Sequence, residues 1–218
     1  MRALVDLLLP PRCLACRWCG AEPLCDRCGQ ALVTDEVRHH LDDGIRAVAA
    51  YAYGPPLSTA IKRVKTDALR AGARGLATLL TPHLPDGVPR TWVPATRRRR
   101  RRRGLDLPEV LAGRDAVPLL RAVGDRADHG TMAAADRRRV TADAYEVTTR
   151  PPAAVVLVDD VRATGATLLA AAQALRRDGA RRVLCVTLAA SPGPPSAARR
   201  RAPGDPGRGS SAASGRSS

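Results

Sequence analysis

Ala153-Ala154-Val155-Val156-Leu157-Val158-Asp159-Asp160-Val161-Arg162-Ala163-Thr164-Gly165-Ala166-Thr167-Leu168 joins an apolar run, two adjacent carboxylates, a tight Thr/Gly loop and the start of a helical pattern. Unbroken apolarity is the mark of a parallel strand covered by helices on both faces, where no polar alternation is needed. The loop that follows opens a helix, and the free backbone N–H groups and dipole of a helix N-terminus favour a phosphate. Asp159 and Asp160 stand at the mouth of that loop. There they can accept hydrogen bonds from sugar hydroxyls or hold a hydrated Mg²⁺. An anion cradle beside an acidic pair suits a ribose 5-phosphate.

The same residues resemble the phosphoribosyl-pyrophosphate (PRPP) signature of type I phosphoribosyltransferases: four apolar residues, Asp-Asp, then a Thr/Ser-Thr-Gly-x-Thr loop. That resemblance implies that Asp159 and Asp160 hold the ribose hydroxyls. It implies too that Ala163, Thr164, Gly165, Ala166 and Thr167 form the 5-phosphate loop. Thr164 and Thr167 would offer hydroxyls, and Gly165 close backbone approach. Ala163 stands where a Thr is common, which removes one phosphate hydrogen bond, about 1 kcal/mol.

The 218 residues suffice for one ordinary domain with small appendages. Aromatic residues make up 2% and Phe is absent, so the core must be built from Val, Leu and Ala. Net charge is +15, carried almost wholly by Arg, since Lys62 and Lys65 are the only lysines. A chain this basic attracts phosphates and nucleic acid in a salt-dependent way. The apolar run Leu4 to Leu9 is too short to span a membrane and lacks the features of a secretory signal. It reads as a short helix, and the protein as cytoplasmic with no membrane span.

Cys13, Cys16, Cys19, Cys25 and Cys28 are five of the six cysteines. Paired C-x-x-C units in a reducing compartment favour metal over disulfides. Four thiolates around a structural Zn²⁺ would organise a segment too small to bury its own core. Spacing leaves two sets open: Cys16/Cys19 with Cys25/Cys28, or Cys13/Cys16 with Cys25/Cys28. A redox pair is the competing reading. Cys185, within Arg182-Val183-Leu184-Cys185-Val186-Thr187-Leu188, reads as a buried strand residue.

A four-Cys finger ahead of such a domain resembles the ComF-type competence proteins, ComF or ComFC, from about Leu4 to about Ala190. The resemblance rests on Tyr51-Ala52-Tyr53-Gly54 with Ile61 and Lys65, and on Trp92-Val93-Pro94 with Arg97 and Arg103-Gly104-Leu105-Asp106. Asp125-Arg126, Arg137-Arg138 and Ala144-Tyr145-Glu146-Val147 complete it. It implies Cys13, Cys16, Cys25 and Cys28 as the zinc set, with Cys19 as the alternative. It also implies PRPP with Mg²⁺, an unnamed acceptor base, and Arg97, Arg103 or Arg126 at the pyrophosphate. The family's competence role implies a helicase-like partner in DNA uptake. Departures are Leu105 for Phe, His129 for Gln and Val140 for Asn.

Arg97 to Arg103 are seven consecutive like charges, which repel and read as solvated or loop-like. Three roles compete for them: a pyrophosphate loop, a nucleic-acid backbone patch or a solvated turn. Interleaved aromatics are absent, so any nucleic-acid contact would be electrostatic. No general base emerges from His39, His40, His83 or His129.

The rest follows a βα order. Strands are expected over 45–53, 91–93, 153–158 and 183–188, and helices over 56–65, 71–80 and 165–177. The helix after Gly104 is curtailed by Gly113 and Pro118. The fold class is therefore α/β, a mostly parallel sheet flanked by helices, and the resemblance implies a type I phosphoribosyltransferase fold with a small N-terminal zinc-binding finger. The expected parts are 1–35 (helix and finger), 44–190 (the α/β domain) and 191–218, a Pro/Gly/Ser/Arg-rich disordered tail.

Overall fold

A computed structural model of the chain describes residues 12–18, 22–35, 39–41, 44–123 and 144–191. The expected helix at Leu4–Leu9 and all but the first residue of the expected tail lie outside these. In chain order the elements are α1 (Asp26–Gln30), β1 (His39–His40), β2 (Arg46–Ala52), α2 (Leu57–Thr66), α3 (Arg70–Leu80), β3 (Arg90–Trp92), α4 (Arg97–Arg103), α5 (Leu107–Ala112), β4 (Leu120–Ala122), β5 (Tyr145–Val147), β6 (Ala154–Arg162), α6 (Ala166–Arg177) and β7 (Arg182–Ala190).

Five strands form one sheet in the order β1-β2-β7-β6-β3. β2, β7, β6 and β3 pair in parallel, and only the two-residue edge strand β1 is antiparallel. β4 and β5 make a separate antiparallel pair. Because side chains alternate across a strand, β6 divides its apolar run between two cores. Val156 and Val158 join Leu57, Ile61, Leu76 and Leu111 on one face. Val155 and Leu157 join Leu168, Leu175 and Cys185 on the other. Helices thus cover both faces, which is why the run needs no polar alternation.

β6 extends four residues beyond the expected Val158. Asp159, Val161 and Arg162 stay in register with Thr187, Ala189 and Ala190 of β7. The acidic pair is therefore on the rigid end of a central strand, whereas the sequence placed it in the loop mouth. A partner strand long enough to keep pairing outweighed the local polarity.

The arginine run is a correction of a plainer kind: it is a helix. Thr96 is its N-cap, with Oγ1 accepting from the Arg99 N–H at 3.3 Å. Gly104 closes it in the left-handed region at φ 62°, its N–H donating to the Arg100 carbonyl at 2.9 Å. Arg has good intrinsic helix propensity, and exposed like charges repel only weakly in water. Capping at both ends decides the conformation.

The cysteine-bearing segment is packed onto the α/β body. Leu14 belongs to the first core together with Leu76 and Ile61. Arg63 Nη1 on α2 donates to the carbonyls of Leu14 and, at 3.1 Å, Ala15. Thr34 bridges antiparallel to Tyr51 at the end of β2.

Candidate functional site

The carboxyl ends of β3 and β6 frame a cleft of about 230 Å³. Binding sites of open α/β sheets lie at this end of the strands. Its wall includes Asp159 and Asp160 from β6, Thr167 from the first turn of α6, and Lys65 from the last turn of α2. Arg99 and Arg103 line it from α4, with Thr96, Asp106 and Tyr145 completing the polar set.

Charges in the cleft are arranged in contacts. The Lys65 ammonium lies 2.7 Å from Asp160 Oδ2. The backbone N–H of Asp160 donates to Asp159 Oδ1 at 2.8 Å. Burial, then the charge of Asp160, pushes the Asp159 carboxyl well above the ordinary range, against the pull of that N–H and of Lys65. Burial also raises Asp106 to about 6, although the Ala95 N–H donates to its Oδ2 at 3.0 Å. Its Oδ1 is buried with no partner among the described residues. The Tyr145 phenol is pushed up by burial and by Asp159. An acidic floor beside a cationic wall suits a ligand carrying both hydroxyls and phosphate.

Gly165 shapes the turn from β6 into α6. It adopts φ +84°, and a Cβ there would lie 2.6 Å from Leu41 Cδ2, so only glycine fits. The turn leaves the first N–H groups of α6 at the cleft end, where a helix accepts anions. Thr164 Oγ1 accepts from the Ala166 N–H at 3.4 Å. Ala163 and Thr164 are exposed, and Thr167 is the loop residue that reaches the cleft wall.

Four thiols form a second cluster. The sulfurs of Cys13, Cys16, Cys25 and Cys28 all lie within 4.8 Å of one another, Cys16 and Cys25 at 3.6 Å. Tetrahedral Zn²⁺ with Zn–S near 2.3 Å implies S···S of roughly 3.8 Å, so the cluster could hold a metal such as zinc. Burial acts to raise the Cys13 thiol, but the N–H groups of Cys25, Cys16 and Ala15 outweigh it and bring it down to about 6. Cys28 is pushed up to about 12 by burial and then by its neighbouring thiols. Thiolate is thus favoured first where backbone donors converge. Cys19, the alternative ligand, lies outside the described residues. Cys185 is buried in β7, as expected of a packing residue.

Of the arginine candidates, Arg103 lines the cleft, whereas Arg97 lies on the outer side of α4 with Arg98, Arg101 and Arg102. Arg126, His129 and Val140 fall outside the described residues. Sequence reasoning missed Arg99, Asp106 and the cleft position of Lys65. Thr96 and Gly104 at the two ends of the run were the available signal for α4. With the helix in hand, the i, i+4 spacing of Arg99 and Arg103 puts both on one face. Lys65 and Asp106 belonged to recognised segments but carried no signal of where their side chains would go.

Residues 132–202 match the family described as Phosphoribosyl transferase domain. The match spans β5, β6, α6 and β7, and so includes the acidic pair and the turn at Gly165. No curated protein matches the chain. The α/β class with a mostly parallel sheet, the match to a phosphoribosyl transferase domain over 132–202 and an N-terminal cysteine cluster that could hold zinc agree with the class read from the sequence. Among the described residues no helix is long and apolar enough to cross a membrane.

Proposed function

We propose that this chain binds PRPP with Mg²⁺ and transfers its phosphoribosyl group to a nitrogen acceptor in nucleotide metabolism. One observation carries the reading: a single cleft holds the carboxylate pair, Thr167 at the start of α6 and the inward arginines Arg99 and Arg103. In this reading Asp159 and Asp160 accept from the ribose 2- and 3-hydroxyls. Ala163 to Thr167 hold the 5-phosphate through the first N–H groups of α6 and the threonine hydroxyls. The C1–O bond to pyrophosphate breaks as the acceptor nitrogen bonds C1 from the opposite face. Arg103 and Arg99 neutralise the departing pyrophosphate, bidentate forks being suited to its oxygens. The work of the protein is positioning and charge stabilisation around an oxocarbenium-like transition state. Two carboxylates are hard-cation ligands, and Mg²⁺ bound there with PRPP would supply further charge neutralisation for the leaving group. A Zn²⁺ on Cys13, Cys16, Cys25 and Cys28 would be structural, tying the finger (1–35) to the domain (44–190). A cytoplasmic setting, which keeps thiols reduced, belongs to the same reading.

Calorimetric titration of PRPP with Mg²⁺ into the full chain tests it. Micromolar binding, about 8 kcal/mol, is expected, and an Asp159→Asn/Asp160→Asn double variant should lose most of it. No binding by folded wild type would remove the reading.

The ComF resemblance supports a second one, a non-catalytic accessory of DNA uptake acting with a helicase-like partner. The observation in its favour is the outer face of α4, where Arg97, Arg98, Arg101 and Arg102 line one concavity. Single-stranded DNA binding that weakens steeply with salt and survives loss of the PRPP site would favour it.

A further inference from the structure

Two of the 36 Lys and Arg residues are lysine, and they sit three positions apart on α2. Lys62 is exposed. Lys65 reaches into the cleft, its side chain 24% exposed and that of its partner Asp160 12%. In a chain so dominated by arginine, a lysine at this contact has a physical reason. An ammonium is a compact point charge that fits against one carboxylate oxygen, whereas a guanidinium fork needs two acceptors and more room. The neighbouring Asp159 is already engaged by the Asp160 N–H. Asp160 is mostly buried and adjacent to a second carboxyl, so it requires a counter-ion. The chain supplies one internally.

We propose that Lys65 is a specificity-determining residue of this cleft. Its ammonium is the resident counter-ion of Asp160, closing the carboxylate pair to a free divalent cation and opening it to one that arrives with a phosphorylated sugar. The three N–H donors on a flexible stem allow this exchange, because the ammonium can turn from Asp160 to a ligand phosphate oxygen without leaving the cleft. Arg99 and Arg103 stand on the same wall to receive the rest of the ligand charge. The inference rests on the sugar-phosphate site proposed above but is tested without PRPP.

The experiment is titration of the full chain with Mn²⁺, free ion being read by electron paramagnetic resonance, with no sugar phosphate present. Wild type should take up no Mn²⁺ at the cleft. Lys65→Met should gain one site at least tenfold tighter than any in wild type, and Lys65→Met/Asp160→Asn should lose it again. Wild type that binds Mn²⁺ as tightly as Lys65→Met overturns the proposal, and so does a folded Lys65→Met that binds none. Should Lys65→Met not fold, wild type with and without ribose 5-phosphate decides. Uptake only with the sugar phosphate supports the role, while uptake without it, or in neither case, overturns it. Failure of PRPP to bind wild type is a separate result that bears on the proposed function.

Discussion

β6 with the turn into α6, and α4 with its flanks, build two sides of one cleft by opposite routes. β6 is apolar, central and paired along its length, so its acidic end is held by the register with β7. α4 is seven arginines with no buried residue, held by a cap at each end and by the surface pair Arg100–Glu109 at 3.1 Å. An exposed pair of that kind contributes at most about 1 kcal/mol. One side of the cleft therefore draws its geometry from a core, and the other from local hydrogen bonds. The lesson is that a rigid acidic floor faces a cationic wall that is cheap to perturb. Substitutions on the two sides should differ in what they damage.

The largest effect is expected on the rigid side. Gly165→Val combines left-handed strain with a clash against Leu41, and should cost about 2–4 kcal/mol. A lowered denaturant midpoint, together with loss of PRPP affinity, checks it. An unchanged midpoint would mean that the turn is not held as described.

Asp106 joins the two sides, because its carboxylate fixes Ala95 just ahead of α4. Its carboxyl is raised from 3.8 to about 6 in the fold, chiefly by burial. Between those values the folded state holds more proton than the unfolded chain. Its contribution is favourable below pH 4 and is lost as pH rises to about 6. Asp106→Asn keeps an acceptor for Ala95 and removes the buried charge. Chemical denaturation from pH 4 to 7.5 should show a flatter profile than wild type, with a gain of about 1–2 kcal/mol at the upper end. An identical pH slope in both proteins would break the assignment.

On the cationic side the effects are smaller and fall on binding. Arg103→Ala should weaken PRPP about tenfold, or about 1.4 kcal/mol, while Arg101→Ala on the outer face should leave it within about twofold. Equal losses in calorimetry would show that α4 acts as an undivided charge. Smallest in reach is Thr96→Ala, which removes the cap accepted from Arg99. It should cost about 1 kcal/mol of stability, and the loss should be confined to the α4 segment in amide exchange.

Legibility differed between the same two regions. The apolar run, the carboxylates and the Thr/Gly turn were readable because strand and helix periods leave a direct imprint on residue order. The helices over 56–65 and 71–80 appear as Leu57–Thr66 and Arg70–Leu80 for the same reason. α4 was misjudged because like charge was weighted above two caps that stood in plain view. Asp106 and Lys65 were not legible as cleft residues at all. Their places depend on how α2 and the loop after α4 fold back over the sheet, and no local pattern encodes that.

By itself the amino-acid order determined the α/β class, the strand that carries the acidic pair, the glycine turn and the grouping of the cysteines. These depend on periodicity, backbone sterics and short spacings, all of which act between near neighbours. Tertiary structure alone decided that Lys65 meets Asp160, that Asp106 is buried, and that α4 divides its arginines between the cleft and the outer face. Those outcomes come from contacts between residues tens of positions apart, where packing rather than local preference sets the distance.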